Sequence, residues 1–428
     1  MHESFIHYIW QLQYFDKKDL RTTDGEEIKI IAPGKGNTNS GPDFLTGKIR
    51  IGNIDWAGSI EIHTSASAWL SHGHDDDHAY DNVILHVVWQ NDKPVLRADG
   101  TAMPTLELQH RVDPKLIQEY KKLVNSPSSI PCERSLSNVD SLTKLSMLDK
   151  ALMQRLESKA ANVLELYHQT GQDWEEVTFQ LIARNFGFKI NNEPFFALTQ
   201  SVSRKILLKH GDNLTQIEAL LFGQAGFLDF SINDDYLKLL QREHQVLSSK
   251  YDLEKEKLKS SLWKFMRLRP ANFPTLRIAE FSALFFKNKS FFAKIMEADQ
   301  LPKLRSFFEI STSEYWHSHY RFARSTARSI SNLGDDSVDN IIINTIAPLF
   351  VAYGKQRDDQ QLIDRAVSFL QSVPAETNKI VKSWKELNME VRSAFDSQAL
   401  IELNNNFCLK RQCLSCNIGA SLLKPLAI

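Results

Sequence analysis

The chain has 428 residues, with 51 Lys and Arg against 52 Asp and Glu, and it is 42% hydrophobic, 10% aromatic and 24% charged. That balance leaves no global cationic field to draw it onto nucleic acid and lies far from the polar, charge-rich composition of disordered chains; the length points to more than one core. No stretch approaches the roughly 18 apolar residues of a membrane span, and Glu3, His7 and Asp16 interrupt any signal-peptide core, so no membrane association is expected and the cytoplasm is the expected compartment.

In chain order, Phe5, Ile9 and Leu12, with Tyr8 beside them, predict an amphipathic helix over residues 2–14. Alternation and turn residues predict strands near 28–32, 44–51 and 54–64, the last two joined as a hairpin through Gly52-Asn53. SASAWLSHGHDDDHAYD, residues 65–81, reads as a short helical turn and a polar loop. NVILHVVWQ then suits a buried strand, and KPVLR and MPTLEL suit shorter ones. From Pro114 onward the apolar spacing is helical, and residues 124–141, rich in Ser, Pro and Asn, mark a linker. The expected organisation is α+β: an α/β domain with a mixed sheet over 1–125, a linker over 126–140, an all-helical domain over 141–400 and a cysteine-bearing tail over 401–428.

The segment SGPDFLTGKIRIGNIDWAGSIEIH, residues 40–63, carries the chemistry of most interest. Carboxylates that hold Mg²⁺ or Mn²⁺ are a direct route to phosphodiester hydrolysis, and Asp43 and Glu61 are candidates for such a pair. A two-residue turn pairs Ile51 with Ile54, so a regular ladder sets Asp43 opposite Ile62 and on the face away from Glu61 and His63. Convergence therefore requires a bulge or break near Pro42 and Phe44. Without one, Pro42-Asp43 merely starts a strand, and Glu61 and His63 are alternation positions facing solvent.

The order helix, strand, Pro-Asp, strand ending in Glu-x-His, helix, buried strand resembles the restriction-endonuclease-like core of the PD-(D/E)xK nucleases over about the first 100 residues. The resemblance implies that Asp43 and Glu61 ligate Mg²⁺, that His63 stands in place of the usual Lys and aids water activation, and that Glu3 is an accessory carboxylate. A neutral imidazole is a competent general base at neutral pH. Over its whole length the chain is also similar to a family of bacterial proteins of this size.

HGHDDDH, residues 72–78, is out of register with the H-x-H-x-D-H loop of metallo-β-lactamase-like zinc hydrolases. Pro42-Asp43-Phe44, Trp69 and His72-Gly73-His74 are similar in order to the very-short-patch mismatch endonucleases, though the cysteine those enzymes carry is missing. That resemblance implies that His72 or His74 contacts the scissile phosphate or donates a proton. Otherwise the loop is solvated, with Asp75 to Asp77 capping the next segment. His86, inside an apolar run, reads as a core histidine rather than a ligand.

Cys132, Cys408, Cys413 and Cys416 make a complete four-ligand set, with structural Zn²⁺ favoured over an iron–sulfur cluster and unrelated buried thiols as the alternative. A real site would clip the tail to the start of the helical domain. Lys264, Arg267, Arg269 and Arg277, around Phe273, are candidates for nucleic-acid contact; Arg321, Arg324 and Arg328 form a weaker group. The function expected is that of a metal-dependent nuclease acting on DNA or RNA, the helical domain positioning DNA or a protein partner. The alternatives are an inactive nuclease-like module that binds nucleic acid or protein, and a zinc hydrolase built on the His72–His78 loop.

Overall fold

The computed structural model describes residues 1–327, 330 and 333–424. The chain is an α+β protein in two compact units, residues 1–147 together with the tail from Leu403, and Leu148–Glu402. The expected division at 125 and 141 differs from this in two respects. The boundary falls inside the helix Ser141–Gln169, and the tail belongs with the first unit. Among the described residues no helix is long and apolar enough to cross a membrane.

The first unit opens with α1 (Glu3–Leu12), which buries Phe5, Ile6, Ile9 and Trp10 and ends where Gln13 turns left-handed at φ 57°. The Trp10 indole N–H donates to the Pro33 carbonyl at 2.9 Å and holds the helix to the chain after the first strand. The sheet contains β1 (Ile28–Ala32), β2 (Lys35–Gly36), β3 (Phe44–Ile51), β4 (Ile54–Ser65), β5 (Val83–Gln90) and β6 (Thr105–Glu107). Its order is β1-β3-β4-β5-β6, with β2 pairing the start of β3. The β3–β4 hairpin is antiparallel, whereas β4, β5 and β6 run parallel, so the sheet is mixed as expected. The chain crosses from β4 to β5 through α2 (Ala68–Ser71) and the histidine loop. KPVLR forms no strand; Leu96 makes only an isolated bridge to Ala102. The last helix before the linker, α3 (Pro114–Val124), starts on Asp113, whose carboxylate accepts from the Lys115 N–H at 2.8 Å.

β4 begins at the exposed hairpin end and then runs through six consecutive buried residues, 58 to 63, in the middle of the sheet. Burial on both faces requires an apolar filling, which Ile60 and Ile62 provide on one face. Glu61 and His63, alternating with them, are buried on the other.

The second unit is built of helices around aromatic side chains, among them Phe179, Phe186, Phe281, Phe285 and Phe291. It departs from the all-helical expectation by one small hairpin, His319–Arg321 with Arg324–Ser325. The basic stretch also requires a correction. Lys264, Arg267 and Arg269 are exposed, but Arg277 is 4% exposed, pairs with Glu280 at 2.9 Å, donates to Asn272 and Ser337, and lies over the Phe188 ring. A guanidinium buried and engaged through both terminal nitrogens in this way holds the core and is not available to a phosphate. Arg321 stacks over Phe265 and Phe273, Arg324 is exposed, and Arg328 lies outside the described residues.

Candidate metal centre

The bulge that convergence requires is present. Gly47 pairs with Gly58 in the regular register, but Phe44 pairs with Ile60, so β3 holds one extra residue between them, and Thr46 takes a left-handed φ of 59°. Asp43 therefore lies beside Glu61, and the two are clasped reciprocally. The Asp43 N–H donates to Glu61 Oε2 at 3.1 Å, and the Ile62 N–H donates to Asp43 Oδ2 at 2.9 Å. α1 completes the acidic side. His7 Nε2 comes within 3.3 Å of Asp43 Oδ2, and Glu3 is close enough for the charges of Asp43, His7 and His72 to act on its carboxyl.

The histidine loop closes over this pair. α2 ends at His72, Gly73 turns left-handed at φ 72°, and His74 returns toward β4. Ligating atoms of His63, His72 and His74 all lie within 4.8 Å of one another, the one group of this kind among the described residues. Glu61 Oε1 is 3.4 Å from His74 Nε2 and 3.6 Å from His63 Nε2. The ring of Tyr80 stacks on His74 with centroids 3.8 Å apart, and Trp69, 2% exposed, meets His74 edge to face and lies tilted against His86. Beyond this point the loop is ordinary surface: His78 faces solvent beside Asp81, and Asp77 caps the following turn by accepting from the Ala79 N–H.

Burial dominates the electrostatics. It pushes the Glu61 carboxyl up to about 8, with the charges of Asp43 and Glu3 adding to the rise and the Asp43 N–H opposing it. It also pushes His63 and His86 down to about 3, with neighbouring imidazoles adding to the fall, and lowers His74. At neutral pH His63 and His86 are therefore neutral. His63 Nδ1 lies 2.9 Å from His86 Nε2, and His63 Nε2 lies 3.1 Å from His72 Nδ1. For His63 to present a lone pair at Nε2, its Nδ1–H must donate to His86 Nε2, which fixes the tautomers of both rings together.

A metal ion fits this arrangement. His7 Nε2 and His74 Nε2 are buried without hydrogen-bond partners although each stands close to a carboxylate oxygen. The imidazoles of His63 and His74 together with the desolvated Glu61 carboxyl form a set that one cation would satisfy at once. His63, His72, His74 and Glu61 would hold it, with Asp43 alongside. Three imidazoles suit Zn²⁺ or Mn²⁺ better than the Mg²⁺ expected from the carboxylates alone.

The four cysteines also come together in the first unit. All are buried and no disulfide joins them. Desolvation first, then the charges of the neighbouring thiols, push Cys132 up to about 12 and Cys413 up to about 11, and raise Cys408 in the same way.

Sequence reasoning missed His7 as a partner of Asp43, although its spacing from Glu3 on one helix face carried the signal. It placed His86 in the core, where it lies, without its contact to His63. Tyr80 gave no signal at all. A family model described as "Protein of unknown function (DUF2851)" matches residues 3–379, while no curated protein and no solved structure matches. With that match spanning most of its length, the chain belongs to the DUF2851 family.

Proposed function

We propose that the first unit is a metal-dependent hydrolase of phosphodiester bonds in nucleic acid, DNA ahead of RNA, in which the carboxylate pair and the histidine loop form a single centre. The observation that carries this reading is the meeting of His63, His72, His74 and Glu61 beside Asp43. The order of elements and the Pro-Asp and Glu-x-His segments, which resemble the PD-(D/E)xK nucleases, support phosphodiesters as the substrate class.

When bound, the ion supplies Lewis-acid stabilisation of charge developing on the phosphate. The chain's own groups do the rest. Glu61 and Asp43 bring negative charge to the cation, His86 sets the tautomer of His63, and Trp69 and Tyr80 wall the pocket and exclude water. His72, the exposed member of the histidine group, would hold the ion at the rim, where a water could give a proton to the leaving oxygen.

The test is cleavage of single- and double-stranded DNA and RNA by wild type and Asp43→Asn with Mg²⁺, Mn²⁺ and Zn²⁺. Metal-dependent cleavage that falls roughly 10³-fold in the variant is expected, from the several kcal/mol such a centre supplies. A wild type that cleaves none of these with any of the metals, or a variant as active as wild type, overturns the reading.

A further inference from the structure

The second cluster lies apart from this centre and owes nothing to it. Thiols 276 or more positions apart in sequence, Cys132 and the trio from Cys408 onward, are brought together by three local devices. The turn Glu133–Asn138, which starts directly after Cys132, packs against Asn417–Leu422, the helix that follows Cys416. Arg411 ties the two segments through its guanidinium, which donates to the Cys408 carbonyl at 2.8 Å and to the Ser126 and Ser128 carbonyls at 2.7 and 2.9 Å. At Gly419 any Cβ would lie 2.2 Å from the Cys413 carbonyl oxygen, so the helix reaches this close only because the residue is glycine.

The spacing of the sulfurs discriminates between ligands. A single Zn²⁺ at 2.3 Å from four thiolates draws their sulfurs to within about 3.8 Å of one another. No three of these four sulfurs lie all within 4.8 Å of one another, yet they are near enough for each other's charge to be felt. Thiolates around a core of several irons and bridging sulfides stand farther apart than thiolates around one ion.

We propose that Cys132, Cys408, Cys413 and Cys416 ligate an iron–sulfur cluster, and that the cluster clasps the tail against α1. The tail meets that helix directly: the turn Cys413–Ser415 packs on it, and the Tyr8 hydroxyl donates to the Ala420 carbonyl at 3.3 Å. The same helix carries Glu3 and His7 to the other centre. The clasp is thus a structural support for the wall of the metal centre, as metal ligation is for many small folds.

The test uses full-length protein purified without oxygen. Iron and inorganic sulfide in equal amounts, with visible absorption bleached by dithionite, are expected. Cys132→Ser and Cys413→Ser should lose both, and His74→Ala should keep both. Wild type that carries no inorganic sulfide as purified and takes up no cluster on reconstitution with iron and sulfide overturns the proposal, whatever zinc the histidine centre holds. Because the decisive measurement is made on wild type, a variant that fails to fold leaves it decided.

Discussion

His86 is fully buried in the sheet with Nε2 on His63 and Nδ1 without a partner, so its side chain exists to serve one neighbour. Replacing it by Leu fills the site with apolar atoms and frees the tautomer of His63. Metal affinity is expected to fall by about 10- to 100-fold, the usual cost of losing such support, with melting temperature little changed. Unchanged affinity measured by calorimetry would make His86 a core residue only. The residues that meet at the proposed centre were legible in the sequence because their types are diagnostic: Asp43 and Glu61 by chemistry, His72 and His74 by density. His86 was not, since an imidazole within VILHVV has the same pattern whether it supports a neighbour or fills space.

At the scale of elements, the sequence marked the β3–β4 hairpin through Gly52-Asn53, but nothing in FLTGK announces that Thr46 turns left-handed. The site depends on that one extra residue. Periodicity places side chains on faces and is blind to a local shift of register, which tertiary packing decides. Arg277 is the converse case, since composition around it suggested a phosphate contact whereas packing buried it against Glu280. Arg277→Ala leaves that acid buried without its partner and should cost about 3 kcal/mol in chemical denaturation, whereas Arg269→Ala should lie within about 0.5 kcal/mol of wild type. A similar junction joins Leu214–Gln224, Asp235–Tyr251 and the loop at Ser313 through Glu218, which accepts from the Tyr236 and Ser313 hydroxyls. Burial raises the Glu218 carboxyl to about 7, so folded protein holds a proton that unfolded protein begins to release near 4.5. Stability is then complete below the unfolded value and falls as pH rises through the window up to about 7, by roughly 3 kcal/mol. Glu218→Gln should flatten that fall in urea titrations at successive pH values, and an unaltered slope would exclude Glu218 as its source.

On the scale of the whole molecule, the division of labour was partly legible. Strand patterning before residue 110 and helical periodicity after Pro114 marked two kinds of structure, and the α+β class followed from them. The return of the tail from Leu403 to the first unit was not legible, because a contact between segments so distant leaves no local pattern. The cysteines hinted only that the tail turns back, and to the start of the helical domain rather than to the first unit. A net charge of −1 confines any grip on nucleic acid to local surface and not to the field of the protein.

The most direct test of a single composite centre is Mn²⁺ binding followed by electron paramagnetic resonance, with wild type, Glu61→Gln and His74→Ala titrated side by side. One ion per chain, bound at least about tenfold more weakly in both variants, is expected, because each supplies a ligand to the same cation. Wild-type affinity in either variant would contradict it, by showing that the carboxylate pair and the histidine loop do not share an ion.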